Sequence, residues 1–325
     1  MKYSIGIDIS KAKFDVCVFD GEKELFEREF KYDEKGIAKF FEIINNYSDC
    51  RITMEATGNY YVKLAMMLHS VGVCVCVVNP EIIKNYIKMK MSRVKTDKAD
   101  AKRIAWYGYS EKPRNYQPES ELQKNIRKNA ELINDLIKTR TEFKNRLHAL
   151  DNEYYTLETS RVVITELIEE LDYRIKNLEK VNRELIKKTY PVKCEKAVAI
   201  PGVGERLISV LFGFLYGFEN FDNAKQVSAY IGINPCPKQS GSSVHGVGSI
   251  SRKGNKYVRS IFYMAALSAC RFNKQCNVFY QRLLSKGKPK KVAITATANK
   301  LLKQIFAIVK HERDYNEDYN LLKKL

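Results

Sequence analysis

Tyr3-Ser4-Ile5-Gly6-Ile7-Asp8-Ile9-Ser10-Lys11-Ala12-Lys13-Phe14-Asp15-Val16-Cys17-Val18-Phe19-Asp20-Gly21-Glu22-Lys23-Glu24-Leu25-Phe26-Glu27-Arg28-Glu29-Phe30, residues 3–30, is the stretch on which the fold turns. Its apolar runs at 3–9, 14–19 and 25–30, parted by the turn residues Ser10-Lys11 and Asp20-Gly21, predict three short consecutive strands. Downstream the pattern predicts a helix near 34–46, a strand at 51–55, a helix at 60–70 and the strand Val73-Cys74-Val75-Cys76-Val77-Val78. Two more helices follow, one from Pro80 and one from Thr96 to about Tyr109. Three meandering strands and then strand–helix alternation is the order of a ribonuclease H-like α/β domain. In that order Asp8 lies on the first central strand, Glu55 ends the fourth, and Asp97 and Asp100 enter on the last helix.

From Glu121 the periodicity changes to heptads. Leu122, Ile126, Asn129, Ile133, Leu136, Arg140, Phe143, Leu147 and Leu150 step by four and three, and Ile164, Ile168, Leu171, Ile175, Leu178, Asn182 and Leu185 repeat the step after a polar break at 151–161. Two long helices folded as a hairpin, or paired with a second chain, satisfy both seams. Asn129, Asn182 and Arg140 weaken such a seam while fixing register or oligomer state. From about Ala197 helical patterns predominate, at 205–217, 222–231, 255–271, 275–285 and 291–310. They are interrupted by the polar, glycine-rich stretch 239–248, expected to be a flexible loop, and followed from 312 by an acidic tail expected to fray. The expected organisation is an α/β domain over 1–112, a helical coiled-coil middle over 113–192, and a mainly α C-terminal domain over 193–325.

Charge narrows the function. Lys and Arg number 56 against 38 Asp and Glu, a formal +18. The excess is concentrated: between Asp222 and Glu312 there is no acid, but 16 Lys and Arg residues. A one-signed field of this kind opposes folding by self-repulsion, and counterion release on a phosphate backbone offsets it, so nucleic acid is the expected partner. An anionic membrane fits less well, because the cations are not gathered on one amphipathic helix. The eight cysteines include no Cys-x-x-Cys pair and no His at zinc spacing, which argues against structural zinc and for reduced thiols. The N-terminus reaches Asp8 too soon for a signal peptide, and the uncharged run 64–80 is broken by His69, Gly72 and Pro80. A cytoplasmic protein is expected.

Asp97 and Asp100 stand one helical turn apart inside the basic run Arg93-Val94-Lys95-Thr96-Asp97-Lys98-Ala99-Asp100-Ala101-Lys102-Arg103. Together with Asp8 and Glu55 they form a set of four carboxylates suited to Mg2+, which prefers oxygen ligands and keeps positions open for phosphate oxygens. The Gly6-Ile7-Asp8 motif could also open a sugar-kinase-like phosphate loop, but Ile9-Ser10-Lys11 replaces the Gly and Thr which that loop needs. Pro201-Gly202-Val203-Gly204 before a helix is either a tight turn or a hairpin whose Gly202 and Gly204 amides meet a DNA phosphate. Ser240 lies beside Gly241, and Arg252, Lys253, Asn255, Lys256 and Arg259 follow. A hydroxyl among phosphate-binding cations can attack phosphorus.

These blocks resemble a known family. Gly6-Ile7-Asp8-Ile9-Ser10-Lys11, Glu55-Ala56-Thr57-Gly58-Asn59-Tyr60, Lys95-Thr96-Asp97-Lys98-Ala99-Asp100-Ala101, Gln239-Ser240-Gly241 and Ile250-Ser251-Arg252-Lys253-Gly254-Asn255-Lys256-Tyr257-Val258-Arg259 are similar, in order, to the DEDD transposases of bacterial insertion sequences of the "one-ten" group, RNA-guided bridge recombinases with pilin-gene invertases among their relatives. The resemblance implies a RuvC-like domain holding Mg2+ with Asp8, Glu55, Asp97 and Asp100, a coiled-coil dimerisation element, and a transposase domain whose serine links covalently to DNA. Ser240 matches that serine, with Ser242 and Ser243 close by. It further implies a homodimer assembling to a tetramer, with the acids of one protomer meeting the serine of another, and a structured guide RNA selecting double-stranded donor and target DNA. Two other readings stand beside it: a RuvC-like junction nuclease or DNA invertase without RNA guidance, and a nucleic-acid-binding protein without catalysis.

Overall fold

The computed structural model describes residues 1–90, 97–153, 158–240 and 244–318, and for 97–98, 237–240 and 244–248 the backbone alone. It divides into two compact units, Met1–Pro118 and Glu119–Leu325.

The first unit is a five-stranded mixed sheet with helices on both faces. Strands β1 (Tyr3–Ile9), β2 (Lys13–Phe19) and β3 (Glu24–Lys31) form an antiparallel meander, and helix α1 (Glu34–Ile44) leads to β4 (Cys50–Glu55). Helix α2 (Tyr60–Ser70), β5 (Cys74–Val78), α3 (Pro80–Met89) and α4 (Asp97–Glu111) complete it. The strand order is β3-β2-β1-β4-β5, with β4 and β5 parallel to β1. Every strand and helix expected from residues 3 to 109 is present, with ends shifted by a residue or two. Alternation along β1, β2 and β4 separates two faces. Ile5, Ile7, Ile9, Phe14, Val16, Val18, Ile52 and Met54 pack against Ile37, Phe40 and Ile44 of α1 and Leu64 and Leu68 of α2. Phe14 stacks on Phe30 at 5.3 Å between centroids and meets the edge of Phe40 at 5.4 Å. Two helix starts are capped by side chains: Asp33 accepts from the Gly36 amide, and Asn79 accepts from the Glu81 amide with Pro80 in the first turn.

The opposite face carries α4. A side chain at Gly6 would collide with the Ala101 carbonyl, so glycine there lets helix and strand backbones touch. Ser4 Oγ donates to the Ala105 carbonyl at 2.7 Å. Ser4 thus meets Ala105 and Gly6 meets Ala101, so the helix runs against the strand and its first turn lies toward the Asp8 end.

The second unit is mostly helical. Helices α5 (Glu121–Leu150) and α6 (Glu158–Thr189) form a long antiparallel hairpin. Its base shares the core of the helices that follow: Ile126, Ala130 and Ile186 are fully buried with Phe212, Phe218, Phe262, Leu301 and Ile305. The Gln123 amide donates to the Phe212 carbonyl and accepts from Tyr190 Oη. Toward the tip Asn129 Nδ2 donates to Asn182 Oδ1 at 3.5 Å, and Arg140 pairs with Asp172, so the polar seam residues join one helix to the other within the chain. Helices α7 (Pro191–Val198), α8 (Glu205–Gly213), α9 (Ala224–Ile231), α10 (Lys256–Phe272), α11 (Lys274–Ser285) and α12 (Lys290–Lys310) follow. Helix α12 is long and apolar enough to cross a membrane by composition, but Ala298, Leu301, Leu302, Ile305 and Val309 are buried in this core.

Three features depart from the sequence reading. Helix α7 was not expected. Strands β6 (Pro235–Ser240) and β7 (Val244–Ile250), paired antiparallel, overlap the stretch 239–248 expected as a flexible loop. The acidic tail is tied down through residue 318, with Asp314 on Lys196, Asp318 on Lys274, and Gln275 donating to the Asn316 and Glu317 carbonyls.

Candidate active site

On the α4 face of the sheet, backbone register sets carboxylates in a row. Asp8 lies opposite Asp15 across β1 and β2, and Asp15 lies opposite Glu29 across β2 and β3. On the other side Ile7 pairs with Met54, so Glu55 stands one step further, level with Asp8. Residues directly opposite one another project to the same face. The start of α4, with Asp97 and Asp100, lies at this same end of the sheet. The fold therefore brings the two strand acids and the start of the acid-bearing helix to one end of one face.

The partners of these acids are specific. Thr57 Oγ1 donates to Glu55 Oε1 at 3.1 Å. Asp100 Oδ1 takes the Nη1 of Arg103 at 2.6 Å, and that arginine is 5% exposed. Lys13 Nζ lies 2.7 Å from Glu29 Oε2 and 3.8 Å from Asp15 Oδ2. Asp15 and Glu29 are acids that sequence reasoning passed over. The signal available was an Asp inside the apolar run 14–19, alternating with Phe14, Val16 and Val18 and so on the same face of the sheet as Asp8 once β1 and β2 pair. The Asp97 side chain lies outside the described residues. Among the described residues no three His, Cys, Asp or Glu side chains are spaced to hold a metal ion. By donor chemistry the set suits a hard divalent cation, being all carboxylate oxygen on one face.

In the second unit Ser240 ends β6, its backbone paired with Val244 across the hairpin. Its side chain lies outside the described residues, as do Ser242 and Ser243. The strands lead into a tightly packed turn. A side chain at Gly254 would collide with the Tyr230 carbonyl, and one at Gly232 with the Lys253 carbonyl. Arg252 has φ of 56°, a left-handed conformation costly for a non-glycine residue, and its amide donates to the Gly232 carbonyl. Asn234 Oδ1 and Ser251 Oγ at the base of the hairpin are buried and have no hydrogen-bond partner among the described residues. Of the five residues expected to meet nucleic acid here, Arg252, Lys253, Asn255 and Lys256 are exposed. Asn255 caps α10, accepting from the Tyr257 and Val258 amides, and Arg259 is half-buried, its Nη1 donating to the Ile231 carbonyl at 2.9 Å.

Gly202 has φ of 96°, and a side chain there would come within 2.7 Å of Ala269 Cβ, so the turn lies directly on α10. Gly204 opens α8 facing free space. Both line a groove of about 540 Å³ whose wall also carries Glu179, Glu205 and Arg206. Glu179 pairs with Arg206, and Glu205 with Arg183. Two carboxylates beside the amides are a setting that sequence spacing did not reveal.

Comparison with known proteins covers both units. The DEDD transposase model of the IS110 type, described as a transposase, matches residues 5–156, and a model described as the transposase IS116/IS110/IS902 family matches residues 194–281. The pilin gene-inverting protein of Moraxella bovis is 31% identical over 97% of this chain and 98% of its own length, and that of Moraxella lacunata is equally similar. The transposase for insertion sequence element IS1111A of Coxiella burnetii is 24% identical over 96% of this chain and 90% of its own.

Proposed function

The chain belongs to the IS110-type transposases, and on that premise we propose that it cuts and rejoins DNA strands with a serine nucleophile and a carboxylate-held Mg2+. As a member of that family it is a DNA recombinase, an enzyme whose substrate is DNA. The observation that carries the reading is likeness along almost the whole chain to proteins that invert a gene or move an insertion sequence. The strand order and the helix across β1 suit a ribonuclease H-like domain.

Asp8, Glu55, Asp97 and Asp100 would hold the ion, which when bound polarises a phosphate and neutralises charge that develops on it. Ser240 Oγ attacks phosphorus: the hydroxyl gives up its proton, the Oγ–P bond forms, the P–O bond to one strand end breaks, and the leaving oxygen takes up a proton, so that none is gained or lost overall. Attack of a strand-end hydroxyl on the phosphoserine reverses the step and rejoins DNA. Arg252, Lys253 and Lys256 bind the backbone, while Asn255 and Arg259 hold the turn that presents them. The amides of Gly202 and Gly204 are proposed as a further phosphate contact, and Arg206 as the charge that offsets their acidic neighbours. The exposed Leu132, Val162, Val163 and Leu167 on the hairpin suit pairing as a coiled coil with a second copy, within a tetramer where acids and serine come from different protomers. Selection of sites by a guide RNA, and action in the cytoplasm, are parts of the proposal that rest on the family resemblance.

Recombination of a reporter carrying the element's own ends and flanking non-coding DNA tests this. Asp8→Asn and Ser240→Ala are each expected to abolish it at normal protein levels. Full activity in either variant would overturn the corresponding role.

A further inference from the structure

Strand β6 runs away from the cation-bearing turn before it reaches Ser240. Pro235 pairs with Ile250 and Ser240 with Val244, so Ser240 stands five residues beyond the base of the hairpin, about 17 Å at the rise of an antiparallel strand. Below the Pro235–Ile250 pair the Ser251 amide donates to the Asn234 carbonyl and the Arg252 amide to the Gly232 carbonyl, both at 3.2 Å. Arg252 is therefore fixed at the base, at the end away from Ser240. An extended arginine side chain covers less than half the distance between them.

The base itself is tightly held. Gly232 and Gly254 lie against the Lys253 and Tyr230 carbonyls, and Arg259 Nη1 donates to the Ile231 carbonyl at 2.9 Å. Within it Arg252 takes φ of 56°, a conformation that glycine adopts freely and other residues at a cost. A turn built only for packing would carry glycine here, as it does at Gly232 and Gly254, where φ is 81° and 123°. What arginine adds is a planar cation on an exposed residue, a fork that matches phosphate oxygens.

We infer that Arg252 anchors the DNA backbone away from the cut: it holds a phosphate two or more places removed from the one that Ser240 attacks, and so sets the register in which the hairpin tip meets the strand. The inference rests on Ser240 as nucleophile. The arginine spans part of the gap and DNA the rest, in which phosphates of one strand follow at about 3.4 Å along the duplex axis.

Single methylphosphonates, which remove the charge of one phosphate at a time, are placed along DNA carrying the element's ends. Binding is measured for the full chain as wild type, Arg252→Gly and Arg252→Asn. Both replacements accept the left-handed conformation, so either serves should the other not fold. In wild type the neutral linkage at the held phosphate is expected to weaken binding about tenfold, the scale of one charge-assisted pair. In the variants, binding of unmodified DNA falls by the same factor and that linkage no longer matters. Counted from the strand end joined to Ser240, the position of this lost sensitivity should be two or more. Sensitivity lost at the cut phosphate or the next one overturns the inference, and so does a map that the variants leave unchanged. Wild-type DNA affinity with a lowered thermal midpoint marks an arginine that only holds the turn, and overturns it as well. If wild type forms no serine adduct, the nucleophile reading falls and this inference with it, an outcome distinct from an adduct with sensitivity lost at the cut.

Discussion

At Gly6 the two layers of the first unit meet with no room for a methyl group. The Ala101 carbonyl occupies the space a side chain would need, so Gly6→Ala must push α4 off the sheet. Overpacking of this type costs about 1–3 kcal/mol. The helix displaced is the one carrying Asp97 and Asp100, so the variant is expected to lose recombination as well as thermal stability; an unchanged melting midpoint would contradict the packing described. A second prediction concerns buried acids of another kind. Burial pushes the thiols of Cys17, Cys76 and Cys276 from 9.0 to about 12, and the hydroxyls of Tyr190 and Tyr257 from 10.0 to about 12. A folded value above the unfolded one favours the native state fully below the unfolded value, and that contribution is lost as pH rises toward the folded one. Urea midpoints should therefore fall steadily from about pH 9 upward, and the three thiols should react slowly with a disulfide reagent at pH 8 until urea is added. Fast native labelling of all three would refute this.

Among the elements, strands β1, β2, β4 and β5 were legible because alternation and turn residues both mark them. Asp8 and Glu55 were legible as single acids at strand ends. The row joining them to Asp15 and Glu29 was not, because register between strands is a property of pairing and leaves no local mark. The hairpin of β6 and β7 was hidden by its glycines and serines, which signal a loop and have low strand propensity; pairing across the turn overrides that preference. Helix α7 is short and sits behind Pro191, at a break the heptad pattern does not show. The long hairpin, by contrast, is visible in its steps of three and four. Its polar seam carries a prediction: Asn182 is fully buried facing Asn129, and its Nδ2 has no hydrogen-bond partner among the described residues. Replacing both, Asn129→Leu with Asn182→Leu, should raise the melting midpoint by removing unsatisfied polar groups, and should broaden the distribution of oligomers by light scattering as register is relaxed. A lower midpoint would show that the asparagine pair stabilises rather than specifies.

Across the whole molecule the charge excess lies in the C-terminal half, and much of it is displayed: Lys256, Arg271, Lys274, Arg282, Lys286, Lys288, Lys290, Lys291 and Lys303 are all exposed. DNA affinity should fall steeply with salt, and Arg252→Ala with Lys256→Ala should flatten that slope, each phosphate contact contributing about 0.9 to it. A slope unchanged in the double variant would remove the turn after β7 from the interface. The acids and the serine hairpin belong to separate compact units, so catalysis by both is a claim about chemistry, and chemistry can be trapped. DNA carrying the element's ends, incubated with the protein and Mg2+ and then denatured, should yield cut strands covalently joined to a peptide containing Ser240. The product should be absent in Ser240→Ala and in Asp97→Asn. Cleaved DNA that runs free of protein, or an adduct formed equally well by Ser240→Ala, would contradict the account.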